Sequence, residues 1–184
     1  IILNIEEDHM DFFKDINDIR DSFHTFAKLL PEDGTLIING EIDRLKEITA
    51  DLPCSVITYD TKDQHADYSA SDIAYDEMGN ASFELLIHGR PSGQIRLSVN
   101  GIHNVSNALS AIAAAQLLDI PMEKIKEGLL SFTGTDRRFQ YKGDKNGFHI
   151  VDDYAHHPTE IRATLRAAAN YPHRETWCIF QPHT

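Results

Sequence analysis

The sequence predicts an α/β fold: a parallel sheet with covering helices, then an antiparallel edge layer, then a first βαβ unit. Three observations support this prediction. Strand-like and helix-like segments alternate over residues 1–60, short strand-like segments separated by turns fill residues 68–99, and a strand–helix–strand pattern occupies residues 148–181. Alternating strands and helices are typical of parallel sheets, whereas short, closely spaced strands are typical of hairpins.

The first part of the chain has a strand–helix–strand–helix–strand pattern. Apolar residues 1–3 predict a buried strand that ends in an acidic turn, and apolar runs at residues 35–39 and 54–59 predict two further strands. A helix is predicted over residues 41–50. Another is predicted over residues 16–30, where one face is apolar: Ile16, Ile19, Phe23, Phe26 and Leu30.

The middle of the chain predicts the antiparallel layer. Strand-like segments at residues 68–75, 81–88 and 94–99 are separated by residues 77–80 and 90–93, which are rich in Gly, Pro and Asn. This spacing is typical of strands joined by hairpin turns. We therefore expect the three strands to lie at the edge of the same domain as the parallel sheet.

The last third of the chain predicts two helices and then the βαβ unit. One helix is predicted over residues 105–118, and the next begins at Pro121, because proline is favoured at the first helical position. A strand-like segment at residues 139–142 follows. The βαβ unit then comprises a strand at residues 148–151, a helix at residues 158–170 and a second strand at residues 176–181.

Composition argues against two classes of partner. The formal net charge is −12 and no segment concentrates Lys and Arg, so no nucleic-acid partner is expected. No apolar run approaches the roughly 18–20 residues that span a bilayer, so no membrane partner is expected. Cys54 and Cys178 lie in apolar, strand-like runs and are predicted to be buried free thiols, as in a reducing cytoplasm. Since both chain ends lie at strand-like sequence, we expect a piece of a longer protein.

Polar and ionisable residues follow three of the predicted strands, at residues 4–9, 152–158 and 181–184. In open α/β sheets, ligands bind beyond the carboxyl ends of parallel strands. Three such clusters therefore favour an enzyme site. The sequence contains no Gly-x-x-x-x-Gly-Lys-Ser/Thr motif, so this chain cannot hold a nucleoside triphosphate in the usual P-loop way.

Three groups of candidate site residues also have a purely structural explanation. The carboxylates and imidazole of residues 6–9 suit either a divalent cation or a solvated acidic turn. Asn104 suits either a helix N-cap or an amide that hydrogen-bonds the edge of a base. Arg137 and Arg138 suit either a phosphate clamp or an unliganded surface pair.

Four motifs resemble those of the Mur ligase family and occur in the family's order. They lie at residues 4–11, 101–109, 137–140 and 152–160, so the resemblance extends over the whole chain. The last two, Arg-Arg-Phe-Gln and Asp-Asp-Tyr-Ala-His-His-Pro-Thr-Glu, are most similar to the branch of the family that adds L-alanine. The branch that recycles murein tripeptide is the alternative within the family.

The resemblance implies two partial domains. Residues 1–134 correspond to the later part of a P-loop-type central ATPase domain, and residues 135–184 to the start of a Rossmann-like C-terminal domain that holds the amino acid. The implied parent is a cytoplasmic, ATP- and Mg²⁺-dependent ligase of peptidoglycan precursor synthesis. Its small-molecule substrates would be UDP-N-acetylmuramate, L-alanine and ATP, joined through an acyl phosphate on the muramoyl carboxylate. The chain alone, without a P-loop, is expected to be inactive.

The resemblance also implies roles for individual residues. His9 matches a Mg²⁺ ligand, and Arg138 matches a catalytic arginine that reaches the nucleotide phosphates. Asn104 and Asn107 match adenine recognition, and Asp153 matches a residue near the nucleotide ribose. Three residues are expected toward the amino-acid pocket, of which the second is also a catalytic candidate: Tyr154, His156 and His183.

A different class of function is also compatible with these residues. A non-catalytic α/β module could hold a nucleotide and perform no chemistry. The two interpretations differ in one sequence feature, a glycine-rich P-loop upstream of Ile1 in the natural protein, which only the enzyme requires.

Overall fold

The computed structural model describes residues 1–182 of the chain. Contacts divide these residues into two compact units. Unit 1 comprises residues 1–71, 85–93 and 106–120; unit 2 comprises residues 72–84, 94–105 and 121–182. The elements, in chain order, are α1 (Ile16–Ala27), β1 (Thr35–Asn39), α2 (Leu45–Thr49), β2 (Ser55–Asp60), β3 (Tyr68–Tyr75), β4 (Asn80–Ile87), β5 (Arg90–Asn100), α3 (Ile102–Leu117), α4 (Met122–Ser131), β6 (Gln140–Lys145), β7 (Phe148–Asp152) and α5 (Pro158–Ala168).

The first five strands form one sheet in the order β1-β2-β3-β4-β5. The pairs β1–β2 and β2–β3 are parallel, and Ile2 adds a parallel bridge to Ile38 at the other edge of β1. Short turns join β3 to β4 and β4 to β5, so these neighbouring strands reverse direction. The structure thus confirms the predicted α/β class, with a parallel-rich sheet and an antiparallel edge.

Unit 1 has its own apolar core, built where α1 covers the start of the sheet. Asp15 caps α1 by accepting hydrogen bonds from two backbone amides of the first turn. Ile19 and Ala27 are buried on the face that packs inward, whereas Phe26 is 58% exposed. The prediction that Phe26 points inward is therefore wrong, because Ala27 occupies the inward position one residue later. One cluster of buried residues in this core comprises Ile2, Ala27, Leu36, Ile38, Ile42, Ile48 and Cys54.

Two local features differ from the predictions for physical reasons. The turn between β4 and β5 is His88-Gly89, not residues 90–93, and both residues have positive φ, at 48° and 71°. Two successive positive φ values are what a tight type I′ hairpin requires. Helix α2 is also shorter than predicted, because Arg44 adopts the left-handed conformation, with φ of 56°, immediately before it.

The end of the chain forms only part of the predicted βαβ unit. Strand β7 pairs antiparallel with β6, and α5 follows. The second strand predicted at residues 176–181 is not formed. A strand requires a hydrogen-bonded neighbour, and within residues 1–182 the only strand that pairs with β7 is β6. Trp177 is 78% and Ile179 100% exposed.

The cysteine prediction is half right. Both cysteines are free, and Cys54 is buried as expected, but Cys178 is exposed because it lies in the unpaired segment after α5. Of the helices within residues 1–182, none is long and apolar enough to cross a bilayer.

Candidate nucleotide and amino-acid site

The loop after β7 is anchored by one carboxylate. Asp153 Oδ2 accepts hydrogen bonds from the backbone amide of Phe139, at 2.9 Å, and from the hydroxyl of Thr164 on α5, at 2.8 Å. Its Oδ1 accepts the backbone amide of Ala155 at 2.8 Å. Asp153 therefore ties three segments of unit 2 together: the turn before β6, the loop after β7, and α5.

The turn before β6 has an unusual backbone on either side of Arg138. Arg137 and Phe139 both lie in the left-handed region, with φ of 59° and 46°. Such conformations cost of order 1–3 kcal/mol each and persist only where neighbouring groups hold them. Here the Arg137 carbonyl accepts the Tyr154 amide at 2.8 Å, and the Phe139 amide is held by Asp153. The result is a fixed position for the Arg138 backbone.

Arg138 points toward the N-terminus of α5. Its Nη1 lies 3.2 Å from Glu160 Oε1. Glu160 also completes a capping box with His157 at the start of the helix. Partial burial raises the pKa of Glu160, but hydrogen bonds from the His156 amide and the Arg138 guanidinium outweigh it and hold that pKa below its ordinary value. This arrangement keeps a carboxylate beside Arg138.

Tyr154 and His156 form an aromatic pair in the same loop. Their rings meet edge to face with centroids 5.3 Å apart, and the Arg137 guanidinium lies 5.5 Å from the Tyr154 ring centre. His156 Nδ1 is 3.1 Å from the Tyr154 carbonyl. Both residues border an open cavity of about 1070 Å³ within unit 2, which is far larger than a single small amino acid.

The N-terminus of α3 supplies the remaining polar groups. Helix α3 begins at Ile102, so Asn104 lies in its first turn and the interpretation of Asn104 as an N-cap is wrong. Its side-chain Nδ2 donates to the Asn100 carbonyl at 2.8 Å. Gly101, with φ of 86°, allows the sharp change of direction between β5 and the helix.

His103 is the site residue that sequence reasoning missed, although it lies inside one of the four motifs. Its ring packs against Gly101 in the first turn of α3. Burial lowers the pKa of His103; Asp153 opposes this shift and Arg138 adds to it. His103 is thus near both of those residues within unit 2.

The other predicted site residues belong to unit 1. His9 has a side chain that is 78% exposed, with Nε2 3.9 Å from Asp8 Oδ2. Asn107 is exposed on α3. No group of three or more His, Cys, Asp or Glu side chains forms a metal-binding set within residues 1–182. Since Mg²⁺ keeps several waters and takes one or two protein ligands, His9 does not by itself define a site.

The structure therefore brings together four of the predicted residues in unit 2: Arg138, Asp153, Tyr154 and His156. Asn104 belongs to the same unit and is next in sequence to His103. His183 lies outside the described residues.

Gly101 is expected to tolerate no side chain. A Cβ at this position would lie 2.7 Å from Cε1 and 2.9 Å from Nδ1 of His103, and the residue would keep its left-handed backbone. We expect Gly101→Ala to lower the unfolding free energy by about 1–3 kcal/mol, measured by thermal unfolding of the full-length protein. Gly128→Ala in α4 is the matched control, because its Cβ would meet nothing within 4 Å. That control should stabilise by roughly 0.5–1 kcal/mol; equal stability of the two variants would contradict this account of Gly101.

Two family models match the chain. The model of the Mur ligase middle domain matches residues 1–115, and the model described as "Mur ligase, glutamate ligase domain" matches residues 137–184. Curated relatives from Lachnospira eligens and Agathobacter rectalis, both named UDP-N-acetylmuramate–L-alanine ligase, are each 56% identical to the chain. The alignments cover 100% of this chain and 40% of each relative, so the chain spans two fifths of their length.

Solved structures of similar proteins have the same fold. MurF from Acinetobacter baumannii superposes with a TM-score of 0.80 at 26% identity, over 91% of this chain and 36% of that one. UDP-N-acetylmuramate-alanine ligase from Thermotoga maritima gives 0.74 at 26% identity, over 92% and 37%. A murein peptide ligase from Psychrobacter arcticus gives 0.65 at 30% identity, over 91% and 34%.

Proposed function

Because this chain belongs to the Mur ligase family, we propose that the protein containing it joins L-alanine to UDP-N-acetylmuramate in an ATP-dependent step of peptidoglycan precursor synthesis. One observation carries the proposal: relatives that are 56% identical over the whole of this chain are named for that reaction. The proposed compartment is the cytoplasm. The proposed substrates are small molecules, with no nucleic acid or membrane involved.

The residues around Arg138 are proposed to hold the nucleotide phosphates. ATP supplies the phosphoryl group that activates the muramoyl carboxylate. In the structure, the Arg138 guanidinium donates to the Glu160 carboxylate. Phosphate oxygens accept hydrogen bonds from a guanidinium in the same way. A bound phosphate can therefore replace Glu160 as the acceptor or bind beside it. A guanidinium held in such a position stabilises the negative charge that develops during phosphoryl and acyl transfer.

Asp153 and Asn104 are the proposed contacts to the nucleoside. Asp153 would accept from the ribose, and Asn104, with Asn107, would recognise adenine. Asp153 already accepts three hydrogen bonds, so its position is set before any ligand binds. Binding to a group whose position is already fixed loses less conformational entropy.

Tyr154 and His156 are the proposed amino-acid contacts from this part of the chain, together with His183. Tyr154 and His156 border the cavity in unit 2. Because the Tyr154 carbonyl can only accept, Nδ1 of His156 is the donor in their contact, and Nε2 of the neutral ring can accept a hydrogen bond from a ligand. His9 is the proposed Mg²⁺ ligand from this chain. No step of the reaction is assigned to His9 itself.

One alternative reaction has an observation in its favour. The murein peptide ligase from Psychrobacter arcticus shares slightly more sequence identity with this chain than does the alanine ligase from Thermotoga maritima. The alanine reaction remains the stronger proposal, because the identity to relatives named for it is almost twice as high over the full chain.

The two reactions are distinguished by the amine that triggers turnover. The full-length protein is supplied with ATP, Mg²⁺ and UDP-N-acetylmuramate, and phosphate release is compared with L-alanine and with murein tripeptide. We expect release with L-alanine. Release only with tripeptide would move the protein to the recycling branch, and release with neither would favour a non-catalytic nucleotide-binding module.

A further inference from the structure

His103 has a buried nitrogen that no established role explains. Its Nδ1 is inaccessible to solvent and has no hydrogen-bond partner among residues 1–182. Buried polar atoms without a partner are rare in folded proteins, and each one calls for a physical reason. The reason is found at the other nitrogen of the same ring.

The carboxamide of Asn104 has a chemically determined orientation. Its nitrogen lies 2.8 Å from the carbonyl oxygen of Asn100, which can only accept, so the group facing Asn100 must be the NH₂ end. The same nitrogen lies 3.2 Å from Nε2 of His103. A nitrogen that already donates can pair with Nε2 only if Nε2 accepts.

The tautomer of His103 follows from this contact. With Nε2 acting as acceptor, the neutral ring carries its proton on Nδ1. The unpartnered Nδ1 therefore carries the proton, because Nε2 is used as the acceptor that holds Asn104. The ring is kept in place by close packing against Gly101, where a Cβ would lie 2.7 Å from Cε1.

We infer that His103 is a positioning residue that fixes the carboxamide of Asn104 with its donors directed to Asn100 and His103 and its oxygen presented to a purine base. This inference rests on the proposed function, since it assumes that a nucleotide binds at Asn104. The amide oxygen has two lone pairs, so it can accept from a ligand in addition to a donor within the protein. An accepting oxygen selects a base with an exocyclic amino group over a base with a carbonyl at that position.

The charged groups around His103 are consistent with a neutral ring. Asp153, from the loop after β7, favours protonation, whereas Arg138, from the turn before β6, opposes it. Helix α5 packs beside the neighbouring Gly101 through Ala167, which carries no charge. Burial is the largest influence and holds the pKa of His103 below its ordinary value of 6.5, so Nε2 keeps its lone pair at neutral pH.

The first test measures the tautomer of His103 directly and requires no catalysis. Nitrogen NMR of the full-length protein labelled in histidine, with His103→Phe used for assignment, is expected to show His103 protonated at Nδ1 and unprotonated at Nε2. The pKa of the ring should lie below its ordinary value of 6.5, and the Asn104 amide signals should shift as the ring titrates. Finding the proton on Nε2 at neutral pH would overturn the inference, whatever reaction the protein catalyses.

The second test measures how strongly the ligase reaction prefers adenine over hypoxanthine in the nucleotide. His103→Phe keeps an aromatic ring but removes the acceptor, so the preference for ATP over ITP should fall by about fivefold, mainly through the KM for ATP. His103→Gln offers a new acceptor oxygen and should recover part of that preference. A purely structural role would change both nucleotides equally, so an unchanged ATP/ITP ratio in His103→Phe would contradict the inference. If the wild type lacks ligase activity, the proposed function fails and the tautomer measurement still decides the role of His103.

Discussion

Replacing Asp153 with alanine is expected to destabilise the C-terminal part of the protein by about 3 kcal/mol and to remove most of its activity. The substitution deletes the acceptor of three hydrogen bonds, from Phe139, Ala155 and Thr164. Two of the donors are part-buried backbone amides, and the cost of leaving a donor unpaired reaches about 1–3 kcal/mol where it is shielded from water. Activity should fall with stability, because the released turn is the one that places Arg138.

Hydrogen exchange at individual backbone amides tests whether the Asp153 carboxylate holds the turn and the loop. The amides of Phe139 and Ala155 should exchange at least about tenfold faster in Asp153→Ala than in the wild type, since each loses its acceptor. Thr164→Val is the matched control: it keeps the shape of the side chain and deletes only one of the three bonds. It should cost about 1 kcal/mol. Unchanged exchange at Phe139 in Asp153→Ala would show that the carboxylate does not hold the turn.

Replacing Arg138 with alanine is expected to lower kcat/KM of the full-length ligase by at least about tenfold, equivalent to roughly 1.4 kcal/mol of transition-state stabilisation. The guanidinium is held beside α5 by Glu160 at 3.2 Å, in a turn whose backbone is fixed on both sides. Arg138→Lys should recover only part of the loss, because an ammonium lacks the planar fork that matches phosphate oxygens.

Arg96→Ala is the control for this substitution. Arg96 is an exposed residue on β5, so its removal makes the same change in charge away from the turn. Steady-state kinetics should give wild-type values for Arg96→Ala. Wild-type values for Arg138→Ala as well would remove Arg138 from the phosphate site.

Much of the fold could be predicted from local patterns in the sequence. Strands β1 and β3 have the predicted bounds, because β1 contains a short apolar run and both strands lie between turn-rich segments. The hairpin turn at His88-Gly89 was misplaced because Pro91 and Gly93 are more typical turn residues, whereas the positive φ of His88 depends on the geometry of the two strands. The strand predicted at residues 176–181 failed for a different reason, since pairing depends on a partner that a local pattern does not contain.

The site was predicted less completely than the fold. Motif positions indicated Arg138, Asp153, Tyr154 and His156, and the structure places these four together, while their roles remain proposals. His103 could not be recognised, because a histidine in the first turn of a helix is unremarkable until its buried nitrogen and its contact with Asn104 are known. Motif position indicated Asp153 but not its anchoring contacts, because two of its three donors, Phe139 and Thr164, lie more than ten residues away in the sequence.

Transfer of radiolabelled L-alanine tests the proposed reaction most directly. The full-length protein is incubated with UDP-N-acetylmuramate, Mg²⁺ and the labelled amino acid, with and without ATP, and the UDP-linked product is isolated. The account predicts that label enters this product only when ATP is present. Label that stays entirely in free L-alanine, while ATP is hydrolysed or tripeptide is incorporated instead, would contradict it.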